Sequence, residues 1–386
     1  MRFAVVAGPD PARAFPAAAL ASKMVELGDD VLVLTGPRWL PRLQALGVRA
    51  EELPGSAGEP GSADELHYRR PAKAAISTPD LTELLRAFAP DLVVVDVQTL
   101  AGGFAAELLG LPWVQLHPHP LTFSGGSARL DARRRGSERS RDAPGRPGPD
   151  RQMQRELVLA RSSLDLPPDG HAPLLHLVAT LPALELAGAD WPHNASVVGP
   201  MVWDPADHDL AVPEGTSPMV LVCPSTAAAG RRDLLPTALR GLRDVRVVGG
   251  VLEPYDGDVP QWASVGTGRL GPLLDRSAVV VSGGGHGLAV RALGAGVPLV
   301  LVPGDGAQLE LARRIEALGA AVVVRRLSPR SLRRAVDKVL DDRRYATAAG
   351  RIERGAATAD AVLLCHQMLR AHRQVADDAA EGPPLR

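Results

Sequence analysis

The sequence predicts an α/β protein made of two domains, each built on a parallel β-sheet. Short apolar runs alternate with helical patterns along most of the chain, the signature of strand-helix-strand units. At 386 residues the chain is longer than one hydrophobic core usually organises. Between Trp203 and Pro218, prolines and acids interrupt the periodicity and separate two periodic halves.

In the first half, Phe3–Ala7, Val31–Thr35, Leu92–Asp96 and Trp113–Leu116 are apolar runs expected to be buried strands. Pro16–Leu27, Pro79–Phe88 and Gly102–Leu109 lie between them as expected helices, and Gly28 and Gly110 stand where helix-ending glycines belong. The stretch 124–150 breaks the alternation. It is rich in Gly, Ser, Pro and Arg, and from Arg129 to Arg151 eight arginines face four acids, a net charge of +4. This reads either as a solvated basic loop or as one that touches an anionic membrane surface or folds over a ligand.

In the second half, strands are expected at Met219–Cys223, Val245–Val248, Val279–Ser282, Leu299–Val302 and Ala321–Val324. Val279–Ser282 runs into Gly283-Gly284-Gly285-His286-Gly287 and then a helix, Leu288–Ala295, closed by Gly296. Exposed N–H groups at a helix start carry partial positive charge and glycines let a phosphate approach the backbone, so this turn suits a diphosphate. No G-x-G-x-x-G is complete here, which argues against a nicotinamide dinucleotide. The pattern after Arg343 is helical to about Arg373, and Val375 to Arg386 is expected to fray. The resulting division is 1–202 for a first domain, 203–218 for a linker, 219–360 for a second domain and 361–386 for a last helix and tail.

Composition narrows the class. Charged residues make up 23% and the formal net charge is -1, which gives no footprint for nucleic acid. Only Lys23, Lys73 and Lys338 are lysines, an arginine bias of the kind GC-rich bacterial coding produces. Cys223 and Cys365 are the only cysteines and have no metal-like spacing, so neither a disulfide framework nor a zinc site is expected, and a cytoplasmic setting fits. No apolar run approaches membrane-spanning length.

From Val280 to Gly319 the chain resembles the sugar-nucleotide-binding segment of family 1 glycosyltransferases with the GT-B fold. That segment runs H-G-G-x-G-T-x-x-E-A-L-x-x-G-V-P, then P-x-x-x-D-Q-x-x-N-A-x-R and a glycine. Gly284, Gly285, Gly287, Ala292, Leu293, Gly296, Val297, Pro298, Pro303, Gln308, Ala312, Arg314 and Gly319 stand in register. Glu310 and Pro303-Gly304-Asp305-Gly306 resemble a bacterial subgroup acting on lipophilic or macrolide-like acceptors, and a looser likeness extends through the first half. The resemblance implies two Rossmann-like domains facing across a cleft, an N-terminal acceptor domain, and a last helix that returns to the first domain. It implies inverting, metal-independent transfer of a hexose from a UDP- or TDP-sugar to a hydroxyl of a lipophilic small molecule, with the nucleotide sugar as co-substrate and no cofactor. The family's phosphate-contacting His is Gly283 here, its Thr is Leu288, its ribose-binding Glu is Arg291, and its sugar-binding Asp is Ala307. A non-catalytic relative that binds a nucleotide sugar or hydrophobic ligand is therefore the rival reading, and a sugar-nucleotide epimerase a third.

The donor is expected on the N–H groups of Gly284, Gly285, His286, Gly287 and Leu288. His286 is placed to donate to a phosphate or simply to cap the helix, and Gln308 with Glu310 to bind sugar hydroxyls or to face solvent. Ser225 and Thr226 follow a strand where the family has a phosphate-contacting pair. The family's base histidine is Arg13, which stays protonated and cannot accept a proton, so it reads as a guanidinium for phosphate or as a surface arginine. Replacement base candidates are His117 and His119 in Leu116-His117-Pro118-His119-Pro120, with Asp96, at another strand end, as carboxylate partner.

Overall fold

The structure is a computed structural model of the chain, and it describes residues 1–56, 69–121, 149–185, 191–226, 231–304 and 306–381. These form two compact units, Met1–Ala179 with Ala187–Met201 and Ala359–Arg386, and Thr180–Leu186 with Val202–Thr358.

The first unit runs β1 (Arg2–Val6), α1 (Pro11–Glu26), β2 (Asp30–Thr35), α2 (Leu40–Ala45), β3 (Arg49–Glu52), α3 (Pro71–Phe88), β4 (Leu92–Asp96), α4 (Leu100–Leu108), β5 (Trp113–His117), α5 (Pro149–Ser162), β6 (His176–Val178) and β7 (Ala195–Val197). Among the described residues its sheet has the order β3-β2-β1-β4-β5-β6-β7, with every pairing parallel. Strands β1 and β4 are almost wholly buried because helices cover both sheet faces, which is why they read as continuous Val and Leu runs. Burial of Ala4, Val6, Leu85, Phe88, Val93 and Val95 forms the core on the α3 and α4 side.

The second unit runs β8 (Met219–Cys223), α6 (Leu234–Gly241), β9 (Arg246–Gly250), β10 (Ala263–Gly266), α7 (Leu270–Leu274), β11 (Val279–Ser282), α8 (His286–Gly294), β12 (Leu299–Leu301), α9 (Gly306–Ala317), β13 (Ala321–Val323), α10 (Pro329–Asp341) and α11 (Arg344–Arg354). Its parallel sheet has the order β10-β9-β8-β11-β12-β13. The last helix, α12 (Ala361–Glu381), belongs to the first unit, where His366 bonds Asp29 at 2.7 Å and stacks on Phe3.

Several expected elements differ. Helices α1 and α3 start at Pro11 and Pro71, leaving Pro16 and Pro79 inside them. Each already has a proline at its first turn, where a missing N–H is harmless, and the internal proline removes only one i→i−4 bond. The expected strand at Val245 starts at Arg246, and the helical stretch expected after Arg343 consists of α11 and α12. α12 continues to Glu381, through part of the tail expected to fray. Strands β3, β6, β7 and β10 have no sequence counterpart, since runs of three or four residues carry too little periodicity to read. The basic stretch 124–150 lies outside the described residues except at Pro149 and Asp150, which open α5. Within 203–218, Asp204 is tied to Arg291 and Asp209 to Arg269, both inside the second unit.

Candidate functional site

Both sheets reverse direction at a switch point. In the second unit β8 and β11 are neighbours, with β9 and β10 on one side and β12 and β13 on the other. Connections leaving two adjacent strands in opposite directions open a crevice beyond their carboxyl ends, the preferred ligand position in open α/β sheets. Cys223 ends β8 beside Ser282, which ends β11, so the loops that follow them share this crevice.

The glycine turn fills one wall. Gly284 has φ +79°, a left-handed conformation that a side chain resists, and its N–H donates to Ser282 Oγ at 3.2 Å. A Cβ on Gly283 would come within 2.8 Å of Ser225 Cβ, so the loop after β8 occupies the space that a side chain at 283 would need. Gly285 caps α8, and a Cβ at Gly285 or Gly287 would meet nothing within 4 Å. The first turn of α8 therefore has open space at the two positions where glycine omits a side chain, and its first N–H groups have no partner within the helix.

Gln308 ties the walls together. Its Nε2 donates to Ser225 Oγ at 3.0 Å and its Oε1 accepts from Gly304 N–H at 3.1 Å. Both ends of its amide are thus engaged with the loops around the turn. The His286 ring is placed by Thr180, whose Oγ1 lies 2.9 Å from Nε2 and which is fully buried. Thr226 is exposed, Leu288 half-buried, and Glu310 sits in the field of Arg314 together with Glu185. Arg291, in the next turn of α8, makes a two-pronged pair with Asp204 at 2.8 and 2.9 Å.

The first unit has a matching switch point between β1 and β4. Arg13, in the first turn of α1 after β1, reaches Asp96 at the end of β4 with Nη1 to Oδ1 at 3.3 Å. Asp96 is buried and also accepts from Thr99 Oγ1 at 2.8 Å. Burial raises its carboxyl above the usual range, and Arg13 and the Thr99 bond pull it part of the way back. Asp10 is paired with Arg69 nearby, at 2.8 Å.

His117 and His119 differ in setting. His117 is 3% exposed and its Nε2 lies 3.0 Å from His176 Nδ1. Burial, reinforced by His176, His119 and Arg13, pushes it down to about 3. His119 is half-buried, and its Nδ1 lies 3.2 Å from Pro120 O. A carbonyl only accepts, so Nδ1 carries the proton and Nε2 is the basic nitrogen. Burial and then Arg13 push His119 down to about 4.

Comparison with known proteins settles the family. Residues 257–361 match the C-terminal domain of erythromycin biosynthesis protein CIII-like proteins. Over 94% of its length the chain is 30% identical to 4'-demethylrebeccamycin synthase of Lentzea aerocolonigenes, covering 97% of that protein. The chain belongs to the bacterial natural-product glycosyltransferases of family 1. Two solved structures share the GT-B fold of this glycosyltransferase. One is the kitacinnamycin glycosyltransferase, with a TM-score of 0.73 and 20% identity over 95% of this chain and 99% of that one. The other is SsfS6 of Streptomyces sp. SF2575 complexed with thymidine diphosphate, with a TM-score of 0.67 and 22% identity over 95% and 99%.

Within the glycosyltransferase, the structure brings Ser225, Gly283 to Leu288 and Gln308 to one crevice, and Arg13, Asp96, His117 and His119 to another. Sequence reasoning missed Thr180, His176, Thr99, Asp204 and the Asp10–Arg69 pair. Asp204 had a legible signal, an acid directly after Trp203 at the start of the expected linker; the others are partners distant in sequence or ordinary loop residues. Among the described residues, no group of three or more His, Cys, Asp or Glu is placed to hold a metal ion, and no helix is long and apolar enough to cross a membrane.

Proposed function

We propose that this glycosyltransferase moves a hexose from a UDP- or TDP-sugar to an oxygen of a lipophilic small molecule, inverting the anomeric carbon. The observation that carries this reading is a helix, α8, that starts from a glycine turn at the β8/β11 switch point with open space at Gly285 and Gly287, a setting in which helix-start N–H groups suit a diphosphate. Support for thymidine diphosphate comes from the complexed Streptomyces glycosyltransferase, and for a natural-product acceptor from the rebeccamycin relative.

The leaving diphosphate gains negative charge as its bond to the sugar breaks, and the helix-start N–H groups meet that charge without a metal. Gln308 and Ser225 hold the turn, and through it the leaving group, in register. The first unit's switch point, lined by Arg13, Asp96 and the His117–His119 turn, handles the acceptor. His117, buried against His176, holds the β5 end in place. Asp96 is buried and committed to Arg13 and Thr99, which favours a single displacement with inversion over attack by this carboxylate.

Calorimetry with TDP and UDP, followed by transfer assays with the matching sugars, tests the reading. At least one nucleotide is expected to bind, the product to carry the inverted anomer by NMR coupling constants, and EDTA treatment to leave the rate intact. Binding of neither nucleotide overturns the reading. Binding without transfer to any acceptor favours a non-catalytic relative.

A further inference from the structure

Arg13 has more hydrogen-bonding capacity than the protein uses. A guanidinium carries five N–H donors in a planar fork. Arg13 is 6% exposed and spends one of them on Asp96, while its buried Nε meets no acceptor among the described residues. Asp96 divides itself between Arg13 and Thr99, and Asp10 is held by Arg69, so neither carboxylate saturates the fork. The position is not incidental: it is the carboxyl end of β1 and β4, where the first sheet reverses. Arg13 acts on both His117 and His119 as a repelling positive charge, and Arg69 does so on His119. A neutral hydroxyl gains little from such surroundings, whereas an anionic oxygen gains a charge-assisted bond.

We propose that Arg13 receives the acceptor's attacking oxygen as an anion, so that the acceptor is an oxygen acid, a carboxylic acid or an acidic phenol. This deepens the transfer reading above and rests on it. The chemistry is balanced without a strong base. The acid loses its proton to solvent before binding; its oxyanion then forms the bond to the anomeric carbon as the bond from that carbon to the diphosphate oxygen breaks. The electron pair leaves on the diphosphate, and the product is a glycosyl ester or an aryl glycoside. An ordinary alcohol would need a base that holds its proton at neutral pH, and a histidine held near 4 does so poorly.

The test is calorimetry on the full chain saturated with TDP, using 2-naphthoate, the acidic phenol 2,4-dinitro-1-naphthol, and 2-naphthylmethanol as the neutral match. At least one anion is expected to bind about tenfold more tightly than the alcohol, the scale of one charge-assisted hydrogen bond, and the anion that does so distinguishes carboxylic acid from phenol. Arg13→Met alone strands the buried Asp96, so the charge-neutral pair Arg13→Met with Asp96→Asn is used, with circular dichroism to confirm the fold. That double variant is expected to lose the preference and keep its TDP affinity. Equal binding of anions and alcohol by the native chain overturns the proposal, as does a preference that survives the double variant. A variant that loses TDP affinity also overturns it, by assigning Arg13 to the donor. Absence of TDP binding in the native chain is a separate failure, that of the reading beneath.

Discussion

Removing the His117 imidazole should flatten the acid limb of the stability curve by a calculable amount. In the folded chain His117 stays neutral down to about pH 3 because it is buried against His176 and faces the charge of Arg13. In the unfolded chain it titrates near 6.5. Between those values the unfolded state binds the extra proton, so this contribution is complete above pH 6.5 and is lost as pH falls toward 3. At pH 5 the unfolded histidine lies about 1.5 pK units inside its protonated range, worth about 2 kcal/mol relative to pH 7 at 1.36 kcal/mol per unit. His117→Gln keeps a polar group toward His176 but does not titrate. Urea denaturation of both proteins at pH 7 and pH 5 should therefore show the native chain losing about 2 kcal/mol more than the variant across that interval. Asp96 titrates with the opposite sign, its carboxyl being raised, but it is present in both proteins and cancels in the difference. Identical losses in the two proteins would refute the burial argument for His117.

Two further substitutions separate the parts of the second unit. Gly284→Ala forces a side chain into φ +79° and brings its Cβ within 3.3 Å of the Gln308 carbonyl, so it should cost about 1–2 kcal/mol in thermal or urea denaturation and weaken TDP binding measured by calorimetry. Arg291→Met leaves Asp204 half-buried without its two-pronged partner and should cost about 3 kcal/mol, most of it recovered by adding Asp204→Leu; TDP affinity in the double variant should stay near native, because Arg291 is engaged with Asp204.

The sequence revealed what local pattern encodes. Strands β1, β4, β8 and β11 are buried on both faces, so their residues read as unbroken apolar runs, and the turn after β11 announces itself through three glycines. What escaped was decided by partners far along the chain. Arg13 and Asp96 are 83 residues apart, Thr180 and His286 are 106, and Arg291 and Asp204 are 87. Helix starts were misplaced for a local reason: Pro16 and Pro79 look like first-turn prolines, but Pro11 and Pro71 hold those positions, each preceded by a residue in extended conformation.

The departures from the family pattern fall into two groups with different consequences. In the second unit, side chains give way to backbone: the place of the phosphate-contacting histidine is Gly283, and Ser225 packs where its side chain would stand. Donor N–H groups at a helix start do not depend on side-chain identity, so a diphosphate site survives such changes as long as the turn holds its shape. Ser225, Gly304 and Gln308 supply that hold through two hydrogen bonds. In the first unit the change is chemical. An arginine in place of a histidine cannot take a proton, and its field lowers the basicity of the histidines near it. On the acceptor proposal above, the acidity that the protein's weakened bases cannot draw on is supplied by the substrate. The same buried charge that disables a base is the one that would hold an ionised oxygen, so Arg13 links the missing catalytic group to the kind of acceptor the enzyme can use.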